Sequence, residues 1–186
     1  MSLQEQQNFL AKLYTDAEFR LAFWSAPEKI GTENNLKKSE IEEIAGIMRE
    51  ELDFFADSLF WKRLREVEKF LPLSKKILGD DFTKYFREFS QNFNPQTIKK
   101  HFEDALEFCR FLQKQNVSEY AKNAAKFEES KALFFGLEKR FVICKLDFDI
   151  REIFLSKAEI QIGNPKNKTK IAIWIKIGKR FKHFFI

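Results

Sequence analysis

Apolar positions along the chain follow two periods, and the change falls just past residue 140. Before it they recur every three or four residues, the spacing of one helix face. Leu3, Phe9, Leu10, Leu13 and Tyr14 predict an opening helix. Asp16 can cap a second, short helix carrying Phe19, Leu21, Ala22 and Phe23, with Pro27 just beyond it. Residues 31–38 read as a polar loop, and Ser39 with Glu42 as a capping box. The series Ile41, Ile44, Ala45, Ile47, Met48, Leu52, Phe55, Leu59, Leu64, Val67 and Leu71 keeps helical spacing as far as Pro72, which can kink or break it. Gly79 reads as a stop, with Asp80 or Asp81 capping the helix of Phe82, Tyr85, Phe86 and Phe89. Pro95 fits the first turn of a helix carrying Ile98, Phe102, Leu106, Cys109 and Leu112. A last helix is expected from about Ser118 to Leu137.

After Arg140 the period is two. Val142, Cys144, Leu146, Phe148 and Ile150 alternate with polar residues, and Ile160 and Ile162 repeat the pattern. Gly163-Asn164-Pro165 is a turn and residues 166–170 a basic loop. Ile171, Ile173, Ile175 and Ile177 alternate with Ala172, Trp174, Lys176 and Gly178, and residues 178–180 form a hairpin turn into residues 181–186. The fold class is therefore α+β: a helical domain over residues 1–137, then a small antiparallel sheet of three or four strands over residues 138–186.

Composition narrows the function. The 186 residues include 23 Phe, so the core is aromatic, but only two His and two Cys, too few for a self-sufficient zinc, haem or iron–sulfur site. No cofactor is expected. No apolar run is long enough to span a bilayer. The opening residues, MSLQEQQNFL, lack the apolar core of a signal peptide, and the two well-separated cysteines read as reduced, buried thiols. Together these place the chain in the cytoplasm. Residues 139–186 hold 12 basic and 4 acidic residues, so this last quarter carries the whole positive excess of the chain. That asymmetry points to an anionic partner or a solvated face.

Catalytic chemistry is hard to find. His101 and Asp104 can share a helix face, yet no nucleophile or oxyanion site accompanies them. His183 reads as an outward-facing strand residue. Cys109 falls on an apolar stripe, and buried thiols are usually inert. Phosphate-binding, dinucleotide-binding and zinc-protease motifs are absent, so the chain reads as a non-enzyme without catalytic residues or metal ligands. Two surfaces remain. One is Trp61, Arg63 and Arg65 on the long helix, either a basic solvent face or a protein contact, since Trp and Arg are enriched at interface hot spots. The other is the sheet, whose edge recruits an extended peptide or is protected by lysine. Lys166, Lys168, Lys170, Lys176, Lys179, Arg180 and Lys182 would favour an acidic peptide or nucleic acid.

Several segments resemble a family: residues 13–23 (LYTDAEFRLAF), 58–67 (SLFWKRLREV) running into Leu71-Pro72, 101–108 (HFEDALEF) with Phe111-Leu112, and 171–178 (IAIWIKIG) followed by 180–184 (RFKHF). In order, they are similar to bacterial accessory proteins encoded beside multinuclear non-haem iron-dependent oxidative enzymes that modify ribosomally synthesised peptides. The opening helices also resemble the small subunit of extradiol ring-cleavage dioxygenases. The resemblance implies a non-catalytic partner that binds the iron enzyme and helps present the leader of the precursor peptide. No catalytic or metal-binding residue is carried over by it. The peptide is expected to pair with a sheet edge at residues 171–177, using Ile171, Ile173, Trp174, Ile175, Lys176 and Ile177. Trp61, Arg63 and Arg65 would meet the enzyme. Two other classes stay open. One is a nucleic-acid binder stacking bases on Trp174, Phe181, Phe184 and Phe185. The other is an oligomerisation module.

Overall fold

A computed structural model describes residues 3–47, 49–95, 97–151, 169–178 and 180–186. Among them the order is α1 (Leu3–Thr15), α2 (Ala17–Ser25), α3 (Pro27–Glu33), α4 (Lys38–Ala45), α5 (Arg49–Phe70), α6 (Pro72–Leu78), α7 (Asp81–Asn92), α8 (Lys100–Lys114), α9 (Glu119–Gly136), β1 (Phe141–Leu146), β2 (Lys170–Ile177) and β3 (Arg180–Phe185). The class is α+β, with the helices first and a three-stranded antiparallel sheet at the end. Ile160, Ile162, the turn at 163–165, Lys166 and Lys168 lie outside the described residues.

The helix boundaries follow local chemistry. Asp16 caps α2 by accepting from Phe19 N–H at 2.9 Å. Residues 31–33 are helical rather than loop: Pro27 starts α3, and Gly31 leaves room for the Ile41 side chain, which lies 2.5 Å from where a Cβ would stand. The next helix begins before Ser39, because the Glu40 carboxylate accepts from Lys37 N–H at 2.7 Å. Gly46 then interrupts the long apolar series between α4 and α5. Pro72 opens α6, having no N–H to satisfy there. Pro95 does not open α8, which starts only at Lys100 and leaves Ile98 fully exposed. Ser118 caps α9 through Ala121 N–H.

The chain divides into two compact units. The first is Met1–Arg63 with Ser90–Asn94. Its core joins Phe9, Leu13, Phe23, Leu36, Ile41, Ile44 and Leu52, and Arg20 pairs with Asp53 at 2.7 Å. The second is Leu64–Phe89 with Pro95–Ile186. Here phenylalanine builds much of the core: Phe108 meets Phe82 and Phe86 at 5.2 Å, both edge-to-face, the packing that ring quadrupoles favour. A second cluster joins Leu73, Ala124, Phe127 and Phe134 to Cys144, Leu146, Ala172 and Trp174. The change of period near residue 140 therefore separates element types, while one core continues from α6 and α9 into the sheet.

Candidate functional site

Strand register determines what the sheet offers. Its order is β1-β2-β3, so β2 is central. Ile173 pairs with Ile143 on one side and Phe184 on the other. This corrects the expectation of a free edge at residues 171–177, because both edges of that strand are already used. The free edges, among the described residues, belong to β1 and β3.

The two faces differ. Ala172 and Trp174 are buried toward α9 with Cys144 and Leu146. Side chains alternate along a strand, so Ile171, Ile173, Ile175 and Ile177 face the opposite way. The residues expected to bind peptide together are thus split. Trp174 is only 2% exposed, and Lys176 lies near the hairpin end. That burial also removes Trp174 as a platform for base stacking.

At β3 the edge and the inner face coincide. Ile171 and Ile186 exchange both backbone hydrogen bonds, at 2.9 and 3.0 Å. Bonded and non-bonded pairs alternate in an antiparallel ladder. Phe184, Lys182 and Arg180 therefore turn their N–H and C=O toward β2, whereas Phe181, His183 and Phe185 turn theirs toward the free edge. The side chains of these same three residues face α9. His183, expected to face outward, instead stacks on Trp174 with centroids 4.7 Å apart.

Beside this edge runs a groove of about 430 Å³, lined by Phe127, Lys131, Phe135, Arg151, Trp174, Phe181, His183 and Phe185. Phe127, Lys131 and Phe135 stand at i, i+4 and i+8 on α9, one helix face. Phe127 stacks on Phe185 at 5.8 Å, and Phe135 meets Phe181 edge-on at 5.2 Å. Arg151 lies over the Phe185 ring at 5.3 Å and also forks onto Asp149. That pairing holds the Asp149 carboxyl down at about 2. Lys131 is exposed and makes no ion pair among the described residues. The groove is aromatic with cationic side chains at its lip, a surface for apolar and acidic groups of an extended chain.

Phe127, Lys131, Phe135 and Arg151 were not singled out from the sequence. The helical spacing of the first three was legible on α9, but nothing local marks which face a sheet leaves partly uncovered. Of the other expected residues, Trp61 and Arg65 are exposed, whereas half-buried Arg63 donates from Nη2 to the Phe93 carbonyl at 2.9 Å. Arg63 thereby anchors residues that follow α7. Cys109 and Cys144 are free thiols and buried. Burial raises both thiol pKa values, Cys109 well above the ordinary value. Among the described residues no three His, Cys, Asp or Glu side chains gather in a way that could hold a metal ion, and no helix is long and apolar enough to cross a membrane. No protein-family model matches the chain, and no curated protein is significantly similar to it.

Proposed function

We propose that this chain is a non-catalytic, cytoplasmic accessory protein. It takes the leader of a ribosomally synthesised precursor peptide as an added strand on β3 and holds it for an iron-dependent oxidative enzyme. The observation that carries this reading is the coincidence of a free strand edge with an aromatic groove. Phe181, His183 and Phe185 supply both. A strand added there would gain main-chain hydrogen bonds and direct every second side chain at Phe127, Phe135 and Phe185. Carboxylates on the peptide would meet Lys131 and Arg151. The sequence resemblance in residues 13–23, 58–67, 101–108, 171–178 and 180–184 supports such an enzyme as the partner.

A second reading, nucleic-acid binding, draws on one observation. The three strands carry five basic residues and no acidic one.

His183→Pro separates the possibilities. It deletes an N–H at the free edge but no hydrogen bond to β2. Ile173→Pro would instead break the central ladder. Fluorescence anisotropy with a labelled extended peptide of alternating apolar and acidic residues is expected to show binding by wild type and roughly tenfold or greater loss in folded His183→Pro. Equal binding by the two would sink the edge assignment. Binding of a labelled oligonucleotide instead, falling steeply with salt, would favour the second reading.

A further inference from the structure

We propose that the sheet face turned away from α9 docks the partner enzyme, which meets it with an apolar patch bordered by carboxylates; this rests on the accessory role proposed above. An antiparallel sheet covered on one side usually carries polar residues on the other. This one does not. Phe141 and Ile143 of β1, the four isoleucines of β2, and Phe184 with Ile186 at the end of β3 share that face by register. Ile143, Ile173 and Phe184 form one row across all three strands. Phe141, Ile143, Ile177, Phe184 and Ile186 are between 45% and 68% exposed. A continuous apolar face this open marks an interaction site.

Charge selects the occupant. The outward strand positions also carry Lys145, Arg180 and Lys182, and no strand position holds Asp or Glu. A second copy of this face would bring only further cations, so the complement is a partner with carboxylates around its apolar patch. The centre of the face is aliphatic, and isoleucine offers no ring on which a base can stack. The groove opens on the other side of the sheet, so enzyme and peptide can be held at once.

The test uses the full chain, any iron-dependent oxidative enzyme found in its gene neighbourhood, and the variant Ile143→Glu/Ile177→Glu, in which both replaced side chains are more than half exposed. Enzyme affinity is expected to fall at least about tenfold, with leader-peptide affinity and thermal midpoint retained. Lys145→Glu/Lys182→Glu, which leaves the apolar set intact, should weaken the enzyme complex and flatten its salt dependence. Unchanged enzyme binding by both folded variants would overturn the proposal while leaving the accessory role standing. Failure of wild type to bind the enzyme would overturn both. Wild-type dimers that Ile143→Glu/Ile177→Glu dissolves would assign the face to a second copy. Capture by phosphatidylglycerol vesicles, lost in the same variant, would assign it to a membrane surface.

Discussion

Trp174 and His183 are direct cross-strand partners whose rings stack 4.7 Å apart and 9° from parallel. They form a non-hydrogen-bonded pair, the register position that brings side chains closest. The stack floors the groove, and Phe127 lies 5.2 Å from the Trp174 ring. Burial, and then the charge of Lys131, lower the His183 pKa below its ordinary 6.5. The fold therefore favours the neutral ring. Its contribution to stability is present above the ordinary value and is lost as pH falls through the lowered one. His183→Phe keeps an aromatic stack and removes the titration. Between pH 7 and pH 5 the urea midpoint of wild type should drop relative to that of His183→Phe. Parallel midpoints would show that His183 titrates as it does unfolded.

Glu128 produces the opposite pH dependence. Its side chain, 3% exposed, accepts from Leu73 N–H at 2.6 Å, Ser74 N–H at 3.1 Å and Ser74 Oγ–H at 2.6 Å. It thus satisfies donors that the first turn of α6 leaves unpaired. Desolvation outweighs these bonds and the nearby Lys131 charge, and raises the carboxyl from 4.5 to about 7. A raised value means stability that is full below 4.5 and lost as pH rises through about 7. The span corresponds to roughly 3 kcal/mol. The difference in unfolding free energy between wild type and Glu128→Gln should change by about that amount from acid to mildly alkaline solution. A flat difference would refute the burial account.

The fold was largely legible in the sequence because helix and strand periods are local signals. Asp16, Pro72, Gly79 and Ser118 mark boundaries by chemistry confined to a few residues. Misread boundaries turned on interactions outside the local pattern, such as Ile41 packing on Gly31 and the Glu40 carboxylate accepting from Lys37 N–H. The site was less legible for the same reason. Alternation separates Trp174 from the isoleucines, but it does not tell which set α9 covers. Strand order is a long-range property, and only pairing reveals that β2 is central. The groove needs both answers before Phe127 and Phe185 can be placed beside each other.

Gly79 closes α6 with φ 54° and ψ −126°, a conformation essentially reserved for glycine. Apart from Gly79 itself and its two chain neighbours, no atom lies within 4 Å of where a Cβ would stand. Any loss in Gly79→Ala therefore comes from backbone strain, not from a clash. It should cost about 1–3 kcal/mol in urea unfolding, with leader-peptide affinity unchanged in the folded protein. Wild-type stability in Gly79→Ala would mean that the turn relaxes to another conformation at no cost.

Lys131 links the two titrating groups. Its charge lowers the pKa of Glu128 and of His183, in each case against or beside a larger desolvation effect. Replacing it with neutral glutamine removes a cation from the groove lip, so both protonated forms gain. The His183 ring, followed by NMR through its Hε1 shift, should titrate higher in Lys131→Gln than in wild type. It should remain below 6.5, because burial, the larger cause, is untouched. Glu128 should also move upward, extending its loss of stability to higher pH. If the groove receives an acidic peptide, Lys131→Gln should weaken that peptide most at low salt, where the missing charge is least screened. A His183 titration unmoved by the substitution would place the Lys131 ammonium too far from the ring to act on it, and an unchanged peptide affinity would remove Lys131 from the groove's recognition of carboxylates.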